Sequence, residues 1–126
     1  MPTILVVDDE PAIRLLFRLT LEEAGHRVIE AADGAAALQT ARRQLPDLVL
    51  LDVALPGLSG IEVCRRLRAE ATTATMPVLL ISGIDRRIEA EAAAVGAQAC
   101  IVKPFELSRL VEQTALALRQ APVAVS

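Results

Sequence analysis

The stretch Thr3-Ile4-Leu5-Val6-Val7-Asp8-Asp9-Glu10-Pro11 decides the fold. Thr3–Val7 is a continuous apolar run of the kind presented by a strand buried on both faces; a strand with one wet face would alternate. The run ends in three acids, and Pro11 suits the first turn of a helix, where its missing N–H costs nothing. Ile13, Leu16, Phe17 and Leu21 give that helix an inward stripe, and Gly25 stops it. The same phrase of apolar run, polar residue and helix recurs along the chain. Val28–Ala31 is a second strand, and Asp33-Gly34 opens a helix through Ala36–Gln44 that Pro46 prevents from continuing. Leu48–Leu51 is a third strand with Asp52 at its end, and Leu55-Pro56-Gly57-Leu58-Ser59-Gly60 is a loop on turn chemistry. Ile61–Ala69 is helical with Ile61, Cys64 and Leu67 inward, and Val78–Ile81 is the fourth strand, before Ser82-Gly83. Arg87–Val95 is an alanine-rich helix closed by Gly96. Ala99–Val102 is the fifth strand, ended by Lys103-Pro104, and Glu106–Arg119 is the last helix.

Strict alternation of apolar strands with helices implies an α/β fold, a parallel sheet covered by helices on both faces. At 126 residues the chain is one domain, with residues 1–119 as its body and 120–126 as a C-terminal tail or the start of a linker. Its 53% hydrophobic content supplies a core without disulfide or metal. A net charge of −3 argues against direct binding of nucleic acid through phosphate contacts. With His26 the single histidine, neither a catalytic triad nor a histidine-ligated metal is available within the chain, and its place between Gly25 and the second strand reads as solvated and without a role. Cys64 and Cys100 match no zinc or redox spacing, which points to a reducing, cytoplasmic setting. No apolar run approaches the roughly 18 residues of a membrane span, so no membrane insertion is expected.

In open parallel sheets the functional crevice lies outside the carboxyl ends of the strands. Strand one ends in Asp8-Asp9, strand three in Asp52, strand four in Ser82 and strand five in Lys103. Singly, each has an ordinary reading. Asp8, Asp9 and Glu10 complement the positive end of a helix, Ser82-Gly83 is a common turn pair, and Lys103 is a surface lysine at a bend. Together they place three carboxylates, a hydroxyl and an ammonium on one rim. Crowded carboxylates raise one another's pKa values unless a hard cation sits among them. Oxygen ligands without sulfur or imidazole suit Mg2+, or Mn2+ on the same donor set, with room left for phosphate oxygens. A carboxylate can itself be the nucleophile and become an aspartyl phosphate, with positioning and charge neutralisation supplying most of what phosphoryl transfer needs.

At these residues the sequence resembles the receiver domain of two-component response regulators, from Thr3 to about Arg119. The matching motifs are Ile4-Leu5-Val6-Val7-Asp8-Asp9-Glu10, Leu50–Gly60 around Asp52, Val78-Leu79-Leu80-Ile81-Ser82-Gly83 and Val102-Lys103-Pro104-Phe105. The resemblance implies a flavodoxin-like doubly wound (βα)5 fold with strand order 2-1-3-4-5. It implies that Asp52 accepts phosphate from the phosphohistidine of a histidine kinase or histidine phosphotransfer protein. Asp9 and Asp52 would hold magnesium with the backbone carbonyl of Ala54, and Asp8 would act through a bound water. Lys103 would pair with the phosphate, Ser82 would swing toward it as the switch hydroxyl, and the Lys103–Pro104 bond would be cis. Such a module is no enzyme beyond its own phosphorylation and dephosphorylation.

The chain departs from the family pattern in several places. Cys100 stands at the switch position on strand five, where members commonly carry Tyr or Phe, so ring rotation behind the Ser82 hydroxyl is unavailable and signalling is expected to rely more on backbone movement after Ser82. Ala54 and Ile84, two residues beyond Asp52 and Ser82, cannot hydrogen-bond an attacking water, which implies a slowly decaying phosphoryl state. Gln98-Ala99 lacks the paired acids found before strand five in many dimerising receivers. On the first helix Leu15 and Leu19, four apart and off the inward stripe, suggest either partial burial or a docking patch for the phosphodonor, framed by Arg14 and Arg18, with Pro104 nearby. An aspartate-based phosphatase would want an Asp-x-Asp motif and a cap domain. A flavin- or nucleotide-binding module would want a glycine- or hydroxyl-rich loop where Asp8-Asp9-Glu10 stands. The downstream effector is unidentified, and a stand-alone receiver and one belonging to a longer regulator or hybrid kinase are both open.

Overall fold

The computed structural model describes residues 1–83 and 86–120. Five strands and five helices alternate: β1 (Thr3–Val7), α1 (Pro11–Glu23), β2 (Arg27–Ala31), α2 (Gly34–Gln44), β3 (Leu48–Asp52), α3 (Gly60–Ala69), β4 (Val78–Ser82), α4 (Arg86–Ala94), β5 (Ala99–Val102) and α5 (Leu107–Arg119). All strand pairs are parallel and the order is β2-β1-β3-β4-β5, the flavodoxin-like doubly wound arrangement. The reading of the apolar runs holds, with two differences that matter. Asp52 and Ser82 are the last residues of β3 and β4 and not the first beyond them. The sheet hydrogen bonds therefore fix their backbones directly.

Alternation along the strands sorts the core into two layers. Leu5, Val7, Val49, Leu51, Val78 and Leu80 face α2, α3 and α4, where Leu38, Cys64, Leu67 and Ala92 meet them. Ile4, Val6, Leu50, Leu79, Ile81 and Ile101 face α1 and α5, where Phe17, Leu21 and Leu110 close the layer. Phe17 and Phe105 lie 6.1 Å apart across that second layer. Two N-caps start helices as side-chain chemistry dictates: Asp33 accepts from the Ala36 N–H at 2.8 Å, and Ser59 from the Glu62 N–H at 3.2 Å.

Three expectations need correction. Leu16 is 42% exposed, because the buried arc of α1 is centred on Phe17 and Leu21, and one residue back turns the side chain 100° to the flank. The partial burial weighed for Leu15 and Leu19 is not found: they are 54% and 56% exposed. His26 is not solvated but half-buried; its Nδ1 has no partner among the described residues, and burial lowers its pKa. Ile84 and residues 121–126 of the expected tail lie outside the described residues.

One glycine ties the loop after β3 to the rim. The Gly60 N–H donates to the Val53 carbonyl at 2.9 Å, and the Val53 N–H donates to Ile81 at 2.9 Å. A Cβ on Gly60 would come within 2.5 Å of the Asp52 carbonyl oxygen and 2.8 Å of the Val53 Cα. Backbone on both sides leaves it nowhere to go. Gly60→Ala should therefore lower unfolding stability by about 1–3 kcal/mol, the usual cost of overpacking. Urea unfolding checks this, and an unchanged midpoint would show that the loop after β3 yields freely.

Candidate phosphoacceptor site

Strand register brings the acids together. Val7 pairs with Leu51 across the β1–β3 ladder, so the next residues, Asp8 just beyond β1 and Asp52 at the end of β3, lie side by side. Both are buried, at 3% and 5% exposure. The Asp52 carboxylate is held at both oxygens. Oδ1 accepts from the Ala54 N–H at 2.8 Å, and Oδ2 accepts from Lys103 Nζ at 2.8 Å. Lys103 reaches it from the end of β5, past a cis Lys103–Pro104 peptide, as the resemblance implied. Burial works against the Lys103 charge, yet its hydrogen bond to Asp52 and the charges of Asp52, Asp8 and Glu10 hold the ammonium above its ordinary range.

Asp8 is the strained member of the pair. Its Oδ1 accepts from the Glu10 N–H at 2.9 Å, while its backbone carbonyl accepts from Arg14 at 2.7 Å. Burial pushes its pKa up to about 6, the neighbouring Asp52 carboxylate adds to the rise, and the Glu10 N–H and Lys103 oppose it. One carboxylate oxygen from each of Asp8, Asp9 and Glu10 falls within 4.8 Å of the other two. Glu10 was absent from the candidate ligands because, as the residue before a helix, it reads as a partner for the helix dipole. Its place directly after Asp8-Asp9 was the available signal. Asp52, expected among the ligands, lies outside this cluster, its own oxygens being taken by Lys103 and the Ala54 N–H.

Ser82 stands apart from the acids. It is buried, and its hydroxyl donates to the Gly83 carbonyl at 2.8 Å and lies 3.6 Å from Cys100 Sγ, away from Asp52. Ala54 is exposed at the rim, and Pro104 is exposed beside Lys103. On α1, Leu15 and Leu19 face outward, while Arg14 and Arg18 reach to Glu30 of β2 at 3.3 and 2.8 Å. Cys64 is buried in the core, as its place on the inward stripe required. Among the described residues, no helix is long and apolar enough to cross a membrane.

A doubly wound sheet carrying paired buried carboxylates and a lysine at its carboxyl rim defines a class of small phosphoryl-handling signalling domains. Comparison with known proteins makes the class definite. Residues 4–115 match the family model of the response regulator receiver domain. The chain is 42% identical to the transcriptional regulatory protein AfsQ1 of Streptomyces coelicolor over 84% of its own length and 46% of that protein's. It is 36% identical to the DNA-binding dual master transcriptional regulator RpaA of Synechocystis over 95% of its length and 50% of the relative's. The chemotaxis protein CheY4 of Vibrio cholerae superposes with a TM-score of 0.86 at 32% identity, covering 93% of this chain and 98% of that one. The chain belongs to the response regulator receiver domain family, a phosphoacceptor signalling module of two-component systems and not a true enzyme. It spans about half the length of the curated relatives it matches.

The raised Asp8 pKa gives a pH dependence with a definite sign. A carboxyl with a folded-state pKa near 6 and an ordinary value of 3.8 holds its proton more tightly in the folded state. Its stabilising contribution is complete below about pH 4 and is lost as pH rises through 6. In a chelator, Asp8→Asn should therefore gain on the order of 1–3 kcal/mol over the wild type at pH 7–8, and the difference should vanish at pH 4. Urea midpoints across that range check it, and parallel curves would remove the strain assigned to Asp8.

Proposed function

We propose that Asp52 is the phosphoacceptor and that the donor is the phosphohistidine of a histidine kinase or histidine phosphotransfer protein. The observation that supports this best is the 2.8 Å Lys103–Asp52 pair at the end of β3. It sets a buried carboxylate oxygen, the candidate nucleophile, next to a cation that a phosphoryl oxygen can take over. An Asp52 oxygen attacks phosphorus, the P–N bond to the donor imidazole breaks, and an acyl phosphate remains on Asp52. Lys103, released from the carboxylate, pairs with the new phosphoryl group, and the Ser82 hydroxyl turns from the Gly83 carbonyl toward it.

The donor set fits a hard divalent cation, being carboxylate oxygen without sulfur or imidazole. The proposed ligands of Mg2+, or of Mn2+, are Asp9, Asp52 and the carbonyl of Ala54, with Asp8 acting through water and Glu10 within reach of the same cluster. When bound, the cation offsets the crowded negative charge and orients phosphoryl oxygens. The raised pKa of Asp8 is what carboxylates awaiting such a partner should show.

The outward face of α1 is the proposed docking patch, with Leu15 and Leu19 as its apolar centre, Arg14 and Arg18 on its β2 side and Pro104 at the rim. We place the chain in the cytoplasm, with residues 1–119 as the receiver and 120–126 as a tail or linker start. AfsQ1 and RpaA are named as transcriptional regulators; an output of that kind, through an effector not yet identified, is the reading we favour for this chain.

Two experiments test these assignments. Incubation with magnesium and acetyl phosphate should add a single phosphate that maps to Asp52 by mass spectrometry, and Asp52→Asn should add none. Phosphate found on another residue would overturn the assignment. Leu15→Arg should slow transfer from a phosphohistidine donor by about tenfold, the scale of a central interface residue, and leave acetyl phosphate labelling unchanged. Equal slowing of both reactions would show that α1 serves the site and not the partner.

A further inference from the structure

Ser82 and Cys100 share a side of the sheet that the acids do not. Leu80 pairs with Cys100 across β4 and β5 and belongs to the layer facing α2, α3 and α4, against which Cys100 also packs. Ser82, two residues beyond Leu80, turns to that side. Asp8, Asp52 and Lys103 continue the opposite set, two residues beyond Val6, Leu50 and Ile101. The backbone at Ser82 is pinned: its carbonyl accepts from the Lys103 N–H at 2.7 Å, and the preceding carbonyl of Ile81 accepts from Val53 at 2.9 Å. Movement of the hydroxyl toward Asp52 is therefore a rotation of the side chain about its own Cα–Cβ bond.

Two contacts resist that rotation. The single proton of the hydroxyl is given to the Gly83 carbonyl at 2.8 Å. That leaves lone pairs of Oγ facing Cys100 Sγ at 3.6 Å, where the thiol can act as a weak donor. We infer that Cys100 is a positioning residue: its thiol holds the Ser82 hydroxyl off the phosphoacceptor and so sets how readily the phosphorylated state forms. The thiol is not a reactive site in this role. It acts only through Ser82, and the inference rests on the reading of Asp52 as phosphoacceptor.

Valine and threonine separate hydrogen bonding from shape, since they share a form and differ in one hydroxyl. With magnesium present, affinity for beryllofluoride, a phosphoryl mimic, should rise about two- to fivefold in Cys100→Val, the scale of one weak hydrogen bond. Cys100→Thr, which keeps a donor, should return to the wild-type value. In a Ser82→Ala background, Cys100→Val should change nothing. Without any metal, side-chain couplings of Ser82 should report one rotamer in the wild type and a mixture in Cys100→Val. Equal affinities for wild type, Val and Thr, an equal gain in Val and Thr, or an effect that survives Ser82→Ala would each overturn the inference. Should the variants unfold, the wild type decides: the Ser82–Cys100 contact must be lost on loading with beryllofluoride, and its persistence would refute the role. A wild type that binds no beryllofluoride would instead reject the phosphoacceptor reading, a result distinct from silent Cys100 variants.

Discussion

Two carboxylates held side by side by strand register are the constraint on which the rest of the molecule depends. The Val7–Leu51 pairing of β1 with β3 leaves Asp8 and Asp52 no choice of neighbour, and burial strips both of most of their water. Burial first, and the like charge beside it second, disfavour ionisation, and Asp8 shows it, with its pKa pushed up to about 6. The surroundings are organised to hold the arrangement against this cost. Lys103 and the Ala54 N–H take the two oxygens of Asp52, the Glu10 N–H takes Asp8, and Arg14 fixes the Asp8 carbonyl. Gly60 lets the loop after β3 lie flat against Asp52. A folded domain that keeps so unfavourable a cluster does so for function, since packing alone would favour neutral side chains there.

Much of the fold was legible because a parallel sheet buried on both faces writes itself as unbroken apolar runs. Thr3–Val7, Leu48–Leu51 and Val78–Ile81 could hardly be anything else, and their polar stops named the rim. The failures come where periodicity carries no information about neighbours. A stripe of Ile13, Leu16, Phe17 and Leu21 gives the inward side of α1 but not its width, and Leu16 falls outside the buried arc. Burial of His26 depends on how α1 packs over the entry to β2, which no local pattern encodes. Glu10, an acid just before a helix, has an adequate local explanation in the sequence, and only three dimensions bring its oxygen to those of Asp8 and Asp9.

The two faces of the sheet divide the labour. Acids and lysine continue the layer under α1 and α5, while Ser82 and Cys100 belong to the layer under α2, α3 and α4. A charge change on the first face can be passed to the second by a group able to turn between them. On the proposed reading Ser82 is such a group, at the end of a strand whose backbone is fixed on both sides. Such a device shifts populations by the difference between the contacts it leaves and those it makes, so even a weak contact at Cys100 enters the balance against the stronger ones at Lys103.

If the crowded rim is built to receive a cation, adding that cation must stabilise the fold. Binding to the folded state alone contributes RT ln(1 + [L]/Kd), about 1.4 kcal/mol at roughly tenfold excess over Kd, and a domain of this size then melts roughly 3–6 °C higher. The decisive measurement is the melting temperature at pH 8 in chelator and in millimolar magnesium, for the wild type and Asp9→Ala. The account predicts a rise of several degrees in the wild type that is largely absent in the variant. A wild-type midpoint indifferent to magnesium would contradict it.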